Sequence, residues 1–183
     1  MNWLKSIVIL LAAFVAVFLE AVLRGPREFL GAQIDLLPAI IVYAALSSDI
    51  ATLSLVAVLG GLWMDTLSAN PLGISILPLF AVGFVIYPRR GLIVSDQFYP
   101  RFVLGLAASA LVPLLTLLLL LSTHHTPLLG WGTLWQLFAL SLGGGLLTPI
   151  CFWLFDALNN ALSYLPVAES SFRPDREIRR GRN

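Results

Sequence analysis

Long apolar runs separated by short polar connections make up most of this chain. A helix needs about 20 apolar residues to cross a hydrocarbon core of about 30 Å, and shorter runs are tolerated when their ends are covered. The pattern predicts a bundle of six transmembrane helices, the second of which is short. The predicted helices cover residues 7–23, 34–46, 50–67, 72–87, 102–121 and 135–158.

Composition supports the same fold class. Hydrophobic residues are 58% of the chain and charged residues 11%, more apolar material than a soluble domain of 183 residues would bury. We therefore expect an all-α membrane protein. Residues 1–165 would form its transmembrane domain, and residues 166–183 a flexible, basic cytoplasmic tail that lies against anionic lipid or a cytoplasmic partner.

Charge alone leaves two topologies open. Lys and Arg collect on the cytoplasmic side of membrane proteins. Six spans place nine of the eleven basic residues inside, whereas fusing the second and third runs into one span places ten inside. Length favours six spans, because residues 34–67 as one helix would extend about 51 Å. Ser47, Ser48 and Asp49 predict the break, with a turn and an N-cap for the third helix.

Asp65 is the most informative polar residue, because it ends an apolar run. A carboxylate within hydrocarbon costs roughly 2.5–3.5 kcal/mol on insertion scales, so the residue needs a partner or hydration. An aspartyl-protease pair would need a second carboxylate beside it. The predicted topology instead places Asp65 at the outer end of its span and Asp156 at the inner end of the sixth.

The other acids near the outer surface are Glu20 and Asp35. Glu20 and Arg24 are four residues apart and can pair on one helical face. Together with Arg27, Asp35 and Asp65 they could form an outer polar cluster. Such a cluster would serve either as a recognition surface or only to neutralise its own charges.

No reaction centre is evident in the sequence. His124 and His125 are adjacent, so on a helix they would point about 100° apart rather than toward one metal ion. The segment Gly73-Ile74-Ser75 is part of what an intramembrane serine protease needs, but Ile76 replaces the expected glycine and no helix-borne histidine is available. Phosphate-loop, dinucleotide-binding and cysteine-cluster motifs are missing from the sequence. We expect no catalytic residue, no cofactor, no metal and no nucleic-acid partner.

The order of three motifs is more telling than any one of them. Asp35-Leu36-Leu37-Pro38 opens a short span that contains Tyr43, Gly60-Gly61 leads to Asp65, and Pro71-Leu72-Gly73 leads into the next helix. Over residues 34–87 this order resembles the MreD family, the rod-shape-determining membrane proteins of bacteria.

The resemblance implies a non-enzymatic scaffold or regulatory subunit of the cell-elongation complex. Such a subunit lies in the bacterial inner membrane with its C-terminus in the cytoplasm, and it supports cell shape and lateral peptidoglycan synthesis. Its implied partners are MreC and, indirectly, the MreB filament and the peptidoglycan glycosyltransferase and transpeptidase.

Roles follow by motif position. Gly60 and Gly61 would permit close helix approach, Asp65 would accept hydrogen bonds from the following turn or a partner, and Pro71 and Gly73 would shape that turn. The family fold is also similar to the six-helix substrate-binding component of vitamin importers. That similarity supplies the alternative function, a small-molecule-binding subunit of an importer.

Overall fold

The computed structural model describes residues 2–22, 35–68, 71–91, 97–122 and 130–163. Within these ranges the chain forms six α-helices and no strand, which confirms the all-α class. The helices are α1 (Asn2–Val22), α2 (Leu37–Ser47), α3 (Ile50–Leu67), α4 (Ile76–Ile86), α5 (Phe98–Ser122) and α6 (Trp131–Ser163). A 3-10 turn, Tyr87–Arg89, continues α4.

Four of these helices are long and apolar enough to cross a membrane, namely α1, α3, α5 and α6. The short helices α2 and α4 have 11 residues each, which corresponds to about 16 Å along the helix axis. The second helix is therefore short as predicted. The fourth is also shorter than predicted, because residues 71–75 form a turn before it begins at Ile76.

The predicted break between the second and third helices is confirmed. Helix α2 ends at Ser47 and α3 begins at Ile50, so residues 34–67 are not one helix. Asp49 occupies the N-cap position of α3, but its side chain makes no capping hydrogen bond. The predicted N-cap position is confirmed.

Helix α2 lies at the centre of the bundle. Nine consecutive residues, Leu37–Ala45, are buried, and the helix contacts all five of the others. Pro38 lies in its first turn, where a missing N–H leaves no helical hydrogen bond unmade. An apolar helix buried all round is typical of a core element rather than a lipid-facing one.

Helices α5 and α6 pack against each other through small residues. A Cβ atom added at Gly105 would overlap the side chain of Thr148, and one added at Gly144 would overlap that of Ser109. Small residues therefore let these two helices pack closely within the chain.

Side-chain bonds show which helix ends meet at one end of the bundle. Ser6 Oγ lies 2.7 Å from Thr52 Oγ1, joining the starts of α1 and α3. Arg90 Nη1 donates to the Ser48 carbonyl oxygen at 3.1 Å, and Arg101 Nη2 lies 3.4 Å from Asp156 Oδ2. All basic residues in the described ranges lie at this end, which we call the basic end. They are Lys5, Arg89, Arg90 and Arg101.

The opposite end carries carboxylates. It contains the end of α1, the start of α2, the end of α3 and the start of α4. Glu20, Asp35 and Asp65 lie there, and we call it the acidic end. Asp65 and Asp156 are thus at opposite ends of the bundle, as the alternating topology predicts.

Candidate functional site

The Asp65 carboxylate closes the connection between α3 and α4. Its Oδ2 atom accepts hydrogen bonds from the backbone N–H groups of Gly73, at 2.8 Å, and Ser75, at 3.2 Å. Its Oδ1 atom accepts a hydrogen bond from the Ser75 hydroxyl group at 2.5 Å. Asp65 is 1% exposed, and both of its carboxylate oxygens are engaged inside the chain. The charge is therefore satisfied by three donors of the following turn.

The turn itself requires glycine. Gly73 has a φ angle of +91°, a backbone conformation that a Cβ atom disfavours. Ile74 N–H donates to the Pro71 carbonyl oxygen and Ile76 N–H donates to that of Gly73, both at 3.3 Å. Pro71 is exposed and contributes through its backbone and its fixed φ angle. These contacts give Pro71 and Gly73 structural roles in the turn that Asp65 caps.

The two glycines of α3 let the neighbouring helices approach. A Cβ atom added at Gly61 would lie 2.9 Å from the backbone N and Cα atoms of Ile76, at the start of α4. A Cβ atom added at Gly60 would lie 2.8 Å from Leu37 Cδ1, at the start of α2. Residues 60–68 and 71–76 therefore pack together, and we call these residues the Asp65 corner.

Two of the predicted outer acids lie close together. A Glu20 side-chain oxygen accepts a hydrogen bond from the Leu36 N–H group, so the end of α1 caps the start of α2. Asp35 is 8% exposed, and its carboxyl group interacts electrostatically with that of Glu20. Asp65 directs its carboxylate to Gly73 and Ser75 instead. Arg24 and Arg27 lie outside the described residues, so the predicted pairing of Glu20 with Arg24 stays a prediction.

Ser75 is the residue of the corner whose role the sequence did not reveal. In the sequence, Gly73-Ile74-Ser75 matches only part of an intramembrane serine-protease motif. A usable signal existed: a lone acid at the end of one apolar helix, followed by Gly and Ser just before the next. Short hydroxyl side chains at helix starts commonly bond backbone or acid groups.

A second polar group lies at the basic end. Tyr43 stacks on Phe155, with ring centroids 4.3 Å apart, and its hydroxyl oxygen accepts a hydrogen bond from Asn159 Nδ2 at 3.1 Å. Arg101 lies over the Phe152 ring at 4.5 Å, beside Asp156. Asp156 is thus an acid at the basic end of the bundle that pairs with a cation. Its side chain is 52% exposed, which makes this pair weaker than the Asp65 bonds.

Comparisons with protein-family models, curated proteins and solved structures found no match for this chain. The resemblance to MreD and to the vitamin-importer component therefore stays a prediction from the motifs. Across the described ranges, no three His, Cys, Asp or Glu side chains lie close enough together to hold a metal ion. His124 and His125 lie outside those ranges.

Proposed function

We propose that this chain is a non-enzymatic scaffold or regulatory subunit of the bacterial cell-elongation complex. In this role its helices pack against those of an MreC-type membrane protein. Through that protein the chain would act on the MreB filament and on the peptidoglycan glycosyltransferase and transpeptidase. No cofactor is needed for this function.

One observation carries the proposal. The residues that produce the MreD resemblance around α3 and α4 are the ones that bond and pack together in the Asp65 corner. Asp65 accepts three hydrogen bonds from Gly73 and Ser75 and is nearly inaccessible to solvent. Its carboxylate therefore holds the turn between α3 and α4 in place. A corner between α3 and α4 that is fixed by these bonds supports a packing surface better than a reaction.

The distribution of charge supports an orientation for the proposed subunit. Because basic residues favour the cytoplasmic side, the basic end would face the cytoplasm and the Asp65 corner the outer side of the inner membrane. Helix α6 ends at the basic end, so the C-terminal residues would follow in the cytoplasm. The acidic end would then be available to the extracytoplasmic part of a partner.

The alternative function, a substrate-binding subunit of an importer, requires different structural features. A substrate-binding subunit needs a cavity lined by polar groups from several helices, and a transport ATPase docked on its cytoplasmic face. At the outer end, the polar side chains of Asp65 and Ser75 are already bonded to each other. This favours the scaffold over the importer.

The test is affinity purification of the tagged full-length chain from its own membranes in mild detergent. The co-purified proteins and small molecules would be identified by mass spectrometry. The scaffold proposal predicts recovery of an MreC-type protein and peptidoglycan-synthesising enzymes. Recovery of a transport ATPase and a bound vitamin, with no cell-wall protein, would overturn it.

A further inference from the structure

The helices start from a common level at the basic end. A cavity of about 210 Å³ at this end is lined by Lys5 of α1, Ser48 of α2 and Asn159 of α6. The pairing of Arg101 with Asp156 places the start of α5 beside the same part of α6. Distances along the helices toward the acidic end can therefore be compared from this level.

Helices α5 and α6 reach further than the others. At a rise of 1.5 Å per residue, α1 covers about 22 Å from the cavity to Glu20, and α3 covers about 20 Å from Thr52 to Asp65. From the Arg101–Asp156 pair, α5 continues for about 32 Å and α6 for about 38 Å. Their far ends therefore extend about 10–15 Å beyond the acidic end of α1 and α3.

Burial shows the same difference independently. The last buried residue of α5 toward this end is Val112, and the corresponding residue of α6 is Leu140. Beyond them, no side chain of residues 113–122 or 131–139 is buried. The two helices are antiparallel, so these two stretches lie side by side. We call them the hairpin tip.

The Asp65 corner shows where the hydrocarbon of the membrane ends. Thr66 and Ser68 are exposed at the end of α3, and the non-helical residues Pro71 and Leu72 are exposed beside them. Irregular backbone does not face lipid within the hydrocarbon, so the corner lies at or outside its outer boundary. Helix α3, with 18 residues and a length of about 27 Å, then spans most of a hydrocarbon core of about 30 Å.

With the membrane in this position, the hairpin tip lies outside the hydrocarbon. The headgroup layer on each side is only about 5–8 Å thick, less than the distance by which the tip extends. Tryptophan rings suit a headgroup layer, but leucine and phenylalanine side chains have no polar atom to place there. An exposed apolar patch of this kind marks a protein-binding surface. Its large exposed side chains are Leu118, Leu121, Trp131, Leu134, Trp135 and Phe138.

The position of the tip limits what can cover it. A surface so close to the membrane is reached most directly by residues that adjoin a transmembrane helix. The nearby Glu20 and Asp65 carboxylates bond within the chain, so apolar contact rather than charge would hold the partner. We propose that the hairpin tip binds the apolar side of the segment that directly follows the transmembrane helix of a membrane-anchored partner. This rests on the proposed function, in which the partner is the MreC-type protein.

Photo-cross-linking in intact cells tests the contact. Trp135 and Leu146 are 11 residues apart, about three helical turns, so they lie on the same side of α6. Their exposed fractions are 53% and 51%, but only Trp135 belongs to the tip. Benzoylphenylalanine would replace each residue in turn, and the cross-linked peptides would be identified by mass spectrometry. We expect the Trp135 position to capture the MreC-type protein next to its transmembrane helix, and the Leu146 position not to capture it. Equal capture from both positions, capture from neither, or capture only of a second copy of this chain would overturn the proposal.

Lysine at the same two positions tests where the tip lies. Leu146→Lys should lower the membrane content of the chain, because a charge facing hydrocarbon is costly. Trp135→Lys should keep the membrane content and reduce recovery of the MreC-type protein about tenfold or more, as loss of a tryptophan from an interface does. An equal fall in membrane content for both variants would place the tip in hydrocarbon and overturn the proposal.

The same pull-downs separate two kinds of failure. If the unchanged chain recovers no MreC-type protein, the proposed function fails and the partner assigned to the tip fails with it. If Trp135→Lys recovers as much MreC-type protein as the unchanged chain, only the role of the hairpin tip is overturned.

Discussion

The Ser75 hydroxyl group donates a hydrogen bond to Asp65 Oδ1 across 2.5 Å and joins the end of α3 to the start of α4. The same carboxylate accepts the backbone N–H groups of Gly73 and Ser75. An acid at the end of an apolar helix therefore works as a cap for the next helix.

Asp65→Ala should destabilise the folded protein by about 3 kcal/mol, because it leaves buried donors of Gly73 and Ser75 without an acceptor. Asp65→Asn keeps an oxygen for the backbone N–H groups and should cost about 1 kcal/mol. Denaturant unfolding in detergent micelles would measure both. Equal stability of Asp65→Ala and the unchanged chain would contradict a capping role.

Gly73→Ala should cost about 1–2 kcal/mol, the penalty for a side chain in the left-handed region that this turn requires. The control is Gly91→Ala, because Gly91 lacks a left-handed φ angle and an added Cβ atom there meets nothing within 4 Å. We expect that control to be neutral or slightly stabilising. Thermal unfolding of the two variants side by side would compare them, and equal melting temperatures would argue against a strained turn.

Gly61→Ala should destabilise the protein by about 1–3 kcal/mol, because the new Cβ atom would press on the Ile76 backbone at 2.9 Å. The same change at Gly132, in the first turn of α6, meets nothing within 4 Å and should raise stability by up to about 1 kcal/mol through helix propensity. Unfolding free energies of the pair test whether α3 and α4 are in contact at this point. A neutral Gly61→Ala variant would show that they are not.

The proposed orientation predicts which side of the membrane each end faces. Cys151 is buried, and replacing it with Ala leaves a chain without thiols. Leu72→Cys, at an exposed site in the Asp65 corner, should react with an impermeant thiol reagent added outside intact spheroplasts. Gly91→Cys, at the basic end, should react only after the membrane is permeabilised. The opposite labelling pattern would reverse the topology.

Much of the fold was predictable because apolar runs set helix positions. The bounds of α3 match the prediction at both ends, Ile50 and Leu67, where polar residues interrupt the run. The start of α4 does not match, because residues 72–75 are apolar enough to continue a helix. Asp65, up to ten residues earlier, instead holds the backbone of Gly73 and Ser75 in a turn. The apolar pattern alone does not show that this bond delays the start of α4.

The Asp65 corner was partly predictable because its residues are close together in the sequence. Gly60, Gly61, Asp65 and Gly73 could be chosen from one continuous stretch of sequence, and all four have structural roles in the corner. The sequence could not predict the cavity at the basic end, because its lining joins residues as far apart as Lys5 and Asn159. Only the packing of α1, α2 and α6 brings them together.

The scaffold proposal is tested most directly by comparing partner recovery for two acid-to-alanine variants in mild-detergent pull-downs. Asp65→Ala disrupts the corner, whereas Asp156→Ala removes an exposed acid at the opposite end. Both would be matched for membrane content and checked for retained helicity. We predict that Asp65→Ala loses most of the co-purified MreC-type protein and Asp156→Ala keeps it. Full recovery with Asp65→Ala, or recovery of no cell-wall protein by the unchanged chain, would contradict the proposed function.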